Sequence, residues 1–81
     1  MNGYYEAALS SLPPGAICKV AGLFVEGITR RRLLDLGFIP GAKVEVLRKS
    51  PVGDPTAYFI KGATIALRKN EADNILVSEI S

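Results

Sequence analysis

The stretch TRRRLLDLGFIPG, residues 29–41, places three arginines and a leucine run in front of a glycine and a proline. At about 100° per residue, Thr29, Leu33 and Leu36 fall on one side of a helix, with Ile28 at the edge of that side. A glycine and a proline after such a run end a helix, because glycine adopts the left-handed conformation and proline cannot continue the helical hydrogen bonds. The pattern predicts one short helix over residues 28–36, with an apolar side that meets a core.

Residues on both sides of this helix alternate between apolar and polar types, as half-buried strands do. A hairpin turn around Gly62 and one helical turn near residues 70–74, capped by Asn70, separate the later strands. The predicted strands are residues 16–21, 42–49, 57–60, 64–67 and 75–80. Five short strands with one inserted helix predict a mainly β fold, a small closed barrel that leaves few exposed edges.

The N-terminal residues precede the sequence Pro13-Pro14-Gly15, which forces a turn. We expect residues 1–11 to form a loosely held extension, with a helical turn over residues 5–9. The predicted domain then comprises residues 12–81.

The composition is that of a single small domain. The chain has 81 residues, of which 48% are hydrophobic, and its apolar runs are shorter than the roughly 20 residues that a membrane helix needs. Cys18 is the single cysteine, and the alternation of its strand points it inward. The N-terminus lacks the pattern of a signal peptide, so we expect a cytoplasmic protein.

Charge is distributed unevenly although the net charge is only +2. Residues 28–50 carry six Lys or Arg and two Asp or Glu, whereas residues 70–81 carry three acidic residues and no basic one. Such a dipolar surface suits an acidic protein partner at least as well as it suits DNA.

Three segments carry a resemblance to a known family: LSSLPPGAICKVAGL (9–23), RRLLDLGFIPGAKVEVLRKSPVGDP (31–55) and YFIKGATIALRKNEADNILV (58–77). In order and spacing they resemble the FeoA family, the small ferrous iron transport protein A of bacteria. The resemblance implies an SH3-like barrel, a module also found at the C-terminus of iron-dependent repressors of the diphtheria toxin repressor type. It further implies a cytoplasmic accessory of the ferrous iron permease FeoB, which carries a cytoplasmic GTP-binding domain, so that contact with the membrane is made only through this partner.

Catalytic and metal-binding patterns are not found in the sequence. It contains no histidine, no nucleophile elbow and no phosphate-binding loop. The acidic residues that could serve as metal ligands, Asp54, Glu71 and Asp73, lie in two separate turns. We therefore predict no enzyme activity, no cofactor and no metal site within one chain. A metal site shared between subunits stays open.

The predicted partner-binding site lies mainly on the arginine helix. A solvated surface accounts for most of its charged residues, but Leu34 projects away from the core side and lies between two arginines. An aliphatic side chain surrounded by arginines is typical of protein interfaces. The exposed tip of the SPVGDP loop, residues 50–55, would add contacts, although turn formation explains its composition. The predicted site residues are Arg30, Arg31, Leu34, Val52, Gly53 and Asp54.

Two other functions remain open from sequence. One is a nucleic-acid-binding barrel that uses the same arginines and stacks bases on Tyr58 or Phe59. Because aromatic residues are few, we do not expect nucleic acid as the partner. The other is a homo-oligomeric, metal-linked regulatory module related to the iron-dependent repressors.

Overall fold

Six antiparallel strands form one sheet in the computed structural model, which describes residues 6–79. The strands pair in the order β1-β6-β2-β3-β4-β5. The mainly β fold is confirmed, with one strand more than predicted, and neither helix within residues 6–79 is long and apolar enough to cross a membrane. The elements are β1 (Glu6–Ala8), a 3-10 helix (Leu9–Ser11), β2 (Ile17–Leu23), α1 (Gly27–Leu36), β3 (Lys43–Lys49), β4 (Thr56–Ile60), β5 (Ala63–Leu67), α2 (Lys69–Ala72) and β6 (Ile75–Glu79).

Alternate residues of the strands point into a single core, because successive side chains of a strand lie on opposite faces. In β2 the inward residues are Cys18 and Val20, and in β3 they are Val44 and Val46, as the alternation predicted. The largest fully buried side chains are Phe38, Leu9, Leu33, Ile60, Leu67, Ile75, Val44, Val46, Val77 and Cys18. The core thus draws on almost every element, including α1 and the 3-10 helix.

The segment before residue 12 is packed more firmly than expected. β1 pairs with β6, with Glu6 opposite Ser78, and Leu9 is fully buried. The prediction of a loosely held extension with a helical turn is therefore wrong for residues 6–11, because pairing with the last strand and burial of one leucine fix this segment. The remainder of the predicted extension, residues 1–5, lies outside the described residues.

Helix α1 ends as the sequence predicted. Gly37 has a φ of 109°, in the left-handed region. Its N–H donates to the carbonyl of Leu34, and the N–H of Phe38 donates to the carbonyl of Leu33, each at 3.0 Å. These two bonds satisfy carbonyls that would otherwise have no helical partner. Since Leu33 and Phe38 are both fully buried, the helix end is fixed to the core on either side of the glycine.

The hairpin between β4 and β5 turns through two residues. Lys61 and Gly62 have φ angles of 53° and 81°, and Ile60 pairs with Ala63 across the turn. Two consecutive positive φ angles match the right-handed twist of the paired strands. The sequence predicted the positive φ at Gly62 but not the one at Lys61.

Helix α2 begins at Lys69, two residues earlier than the predicted cap at Asn70 would place it. Its N-cap is Arg68, not Asn70, and the backbone N–H of Arg68 donates to Glu71 Oε1 at 3.0 Å. The N–H of Lys69 donates to Asp54 Oδ1 at 2.8 Å. A carboxylate that is distant in sequence therefore satisfies the first helical N–H, which is why the predicted Asn70 cap is wrong.

Two further side-chain contacts attach other segments to α2. The Ser10 hydroxyl donates to a carboxylate oxygen of Asp73, and the Arg32 guanidinium of α1 donates to Glu71. The hydrogen bond from Ser10, followed by the nearby Lys69 ammonium, lowers the pKa of Asp73. Helix α2 is thus bonded to the 3-10 helix, to α1 and to the loop that contains Asp54.

Candidate protein-binding site

The residues predicted on helix α1 lie together at one surface. Arg30, Arg31 and Leu34 line an open groove with Gly27 and Ile28, and we refer to these five residues as the α1 face. Arg31 is exposed, while Arg30 and Leu34 are half-buried. The geometry brings the three predicted residues of the helix together, and their part in binding stays a prediction.

Ile28 is more exposed than the sequence predicted. It was expected at the edge of the buried helix side but is 87% exposed. The buried side of α1 is centred on Leu33, which is fully buried, and Ile28 lies about 140° from it around the helix axis. If Leu33 is taken as the centre of the buried side, helix geometry predicts that Ile28 faces solvent.

The α1 face combines apolar surface with positive charge. Covering an exposed isoleucine of this kind contributes about 1.5–3 kcal/mol to an interface. Arg32 pairs with Glu71, whereas Arg30 and Arg31 are not in that pair and flank Leu34 and Ile28. Arginines beside an aliphatic centre are the arrangement found in protein interfaces, so this face suits a partner that presents acidic and apolar groups.

The loop of residues 50–55 presents a different surface. Val52 is 87% exposed, as predicted for the loop tip. Gly53 lines a small cleft with Ser10 and Tyr58, away from the groove of the α1 face. Asp54 accepts a hydrogen bond from the first N–H of α2, a structural contact that the sequence did not reveal.

The aromatic residues differ in accessibility. Tyr58 is only 2% exposed, and burial raises the pKa of its hydroxyl. The suggestion that Tyr58 stacks nucleic-acid bases is therefore wrong, because a base cannot reach its ring. Phe59 is 42% exposed and shares a shallow groove with Lys43 and Lys61.

Possible metal ligands do not come together in residues 6–79, where no group of three or more His, Cys, Asp or Glu side chains converges. Cys18 is fully buried, and its thiol lies 3.6 Å from the carbonyl oxygen of Val44. Burial, with a smaller contribution from the Glu79 carboxylate, raises the pKa of this thiol from 9.0 to about 11. At neutral pH the thiol is therefore protonated and unsuited to nucleophilic attack or metal binding.

The FeoA domain family matches residues 7–79. A fusion of Fe(2+) transport protein A with the Fe(2+) transporter FeoB, from Porphyromonas gingivalis, is 33% identical over 73 residues, which is 90% of this chain. The chain spans only 9% of the length of that fusion protein.

Solved structures that are similar in both sequence and fold include two FeoA proteins. FeoA of Chlorobium tepidum has 40% identity and a TM-score of 0.86, over 91% of this chain and 70% of that one. FeoA of Stenotrophomonas maltophilia, solved in complex with zinc and described as a prokaryotic SH3 domain protein, has 33% identity and a TM-score of 0.76, over 85% of this chain and 86% of that one.

Proposed function

The chain belongs to the FeoA domain family, which is associated with ferrous iron transport, and from this we propose that it is a non-enzymatic accessory of the ferrous iron permease FeoB. In this proposal it acts in the cytoplasm, where it binds the GTP-binding part of the permease through the α1 face. The tip of the 50–55 loop adds contacts through Val52 and Gly53.

The observation that carries the proposal is the fusion protein of Porphyromonas gingivalis. In that protein a segment similar to this chain belongs to the same polypeptide as an FeoB transporter. Two parts that are joined covalently act at a high effective concentration of one another, which favours a functional contact between them. The same contact between separate chains requires a binding surface, and the exposed Ile28, which lines one groove with Arg31 and Leu34, supports the choice of the α1 face.

The mechanism that we propose is selective binding of one nucleotide state. A bound protein shifts a conformational equilibrium only to the extent that it binds one state more tightly than the other. If the α1 face binds the GTP-bound and GDP-bound permease with unequal affinity, it changes the populations of the two states and thereby tunes transport.

The test is a binding titration with the permease in lipid nanodiscs, loaded with GDP or with a non-hydrolysable GTP analogue. We expect Ile28→Asp to weaken binding by at least tenfold, because an acidic residue replaces the apolar centre beside the arginines. The variant should fold normally, since Ile28 is 87% exposed. Leu34→Asp should likewise lose the partner, but Leu34 is half-buried, so its melting temperature must be measured in parallel.

Ile39→Asp is the matched control, because it makes the same substitution at an isoleucine that is 41% exposed and lies outside the α1 face. It should retain wild-type affinity. Wild-type affinity of Ile28→Asp would exclude the α1 face from the interface, and equal affinity for both nucleotide states would exclude the proposed mechanism while leaving the contact intact.

A further inference from the structure

Strand β5 lies at one edge of the sheet, with β1 at the other, and within residues 6–79 it pairs with β4 alone. The pairing has no irregularity from Thr56 opposite Leu67 to Ile60 opposite Ala63. An edge strand offers a row of backbone groups to another extended chain unless a bulge, a proline, a charged side chain or a covering helix or loop protects it. Thr29 of α1 lines a groove with Ala66, but Thr64 and Ala66 are both exposed, so the helix leaves this edge accessible. The sequence of β5, ATIAL, contains none of these protecting features.

The register shows which backbone groups face outward. In a hairpin with a two-residue turn, the residues that flank the turn form a hydrogen-bonded pair, and hydrogen-bonded and non-hydrogen-bonded pairs then alternate. Ala63, Ile65 and Leu67 therefore direct their N–H and carbonyl groups toward β4. Thr64 and Ala66 direct theirs toward the free edge, where both residues are exposed.

The surroundings of this edge are basic. Ala66 and Pro55 line two adjacent grooves, one of which also contains Arg68 and the other Arg48 and Lys49. The ion pair of Arg32 with Glu71 is neutral overall and lies in the first groove. Arg68 directly follows β5, while Arg48 and Lys49 lie on β3 and share a groove with Ala66 across β4. These three basic side chains favour an acidic occupant over a second copy of this chain, whose own edge would bring the same charges.

We propose that the β5 edge is a second binding site, which takes an extended acidic segment of another protein as an additional strand. The backbone groups of Thr64 and Ala66 pair with the segment, and Arg48, Lys49 and Arg68 bind its carboxylates. Recognition by strand addition draws its affinity from main-chain hydrogen bonds and its selectivity from the flanking side chains. This site is separate from the α1 face and does not depend on the function proposed for that face.

The test uses a labelled synthetic peptide in which valine alternates with aspartate or glutamate, titrated against the full chain by fluorescence anisotropy. In parallel, NMR follows the backbone amides. We expect saturable binding, with the largest amide shifts at Thr64 and Ala66. The same peptide N-methylated at every residue has no backbone N–H to donate from either edge and should bind at least tenfold more weakly. A peptide with threonine in place of the acids should also bind more weakly.

Substitutions at Ala66 of the protein test the same backbone pairing without changing the peptide. Ala66→Pro removes the outward N–H without removing a bond to β4, so the hairpin should persist while affinity falls at least tenfold. Ala66→Ser is the matched control and should bind within twofold of wild type. Equal binding of the N-methylated peptide, amide shifts confined to the α1 face, or a concentration-dependent dimer paired through β5 would each overturn the proposal.

Discussion

Asp54 allows the structural and the binding roles of the 50–55 loop to be separated. Its Oδ1 accepts the N–H of Lys69 at 2.8 Å, which makes it a side-chain cap of α2 from a distant loop. Loss of a capping side chain costs about 1 kcal/mol, with a range of roughly 0.5–2 kcal/mol. In a domain of about 60–100 residues, 1 kcal/mol shifts the melting temperature by about 4–8 °C. Asp54→Ala should therefore lower the melting temperature by roughly 4–8 °C.

The measurement is thermal unfolding followed by circular dichroism at neutral pH. Asp54→Asn keeps an acceptor oxygen but loses the charge, so we expect a smaller decrease than for alanine. Val52→Ser is the matched control in the same loop, and because Val52 is 87% exposed its melting temperature should stay close to wild type. An unchanged melting temperature for Asp54→Ala would refute the capping role and would return Asp54 to the set of residues available for partner contacts.

Two further predictions concern the core and the helix end. The free energy of unfolding should fall between pH 9 and pH 11 by up to about 2.7 kcal/mol, because the folded Cys18 thiol keeps its proton up to about pH 11 whereas the unfolded thiol loses it near pH 9.0. Urea titrations of wild type and Cys18→Ala would show this, and a parallel fall in the variant would refute it. Gly37→Ala should cost about 1–3 kcal/mol, since φ is 109° and the new Cβ would lie 2.9 Å from Lys61 Cγ. Gly15→Ala, with a φ of 92° and open space around it, measures the backbone strain alone, and an equal loss in both variants would show that the contact with Lys61 adds nothing.

Local rules predicted the parts of the fold that depend on neighbouring residues. The end of α1 at Gly37, the inward direction of Cys18 and the hairpin at Gly62 each follow from a few residues and their conformational preferences. These features leave a clear mark in the residues next to them, so the sequence sufficed to predict them.

The features that were missed depend on distant contacts. β1 is a strand because β6 lies beside it, and Arg68 begins α2 because Asp54 reaches it from another loop. The α1 face was predicted in part, since Leu34 could be placed relative to Leu33 by helix geometry. The exposure of Ile28 depends on which side of the helix the barrel covers. The local sequence pattern predicted a buried side that was too wide, because it included Ile28 at its edge.

The pairing of β1 with β6 determines how the barrel responds to a pulling force. Glu6 lies opposite Ser78 in antiparallel strands, so the two ends of the described chain leave the sheet at the same place. A pulling force applied through both ends acts in the unzipping geometry, so the hydrogen bonds of the ladder between β1 and β6 break one after another. In the shearing geometry all of them would have to break together. Mechanical unfolding should therefore begin at this ladder and need little force, while the hairpin of β4 and β5 is unloaded until the first strand has peeled away.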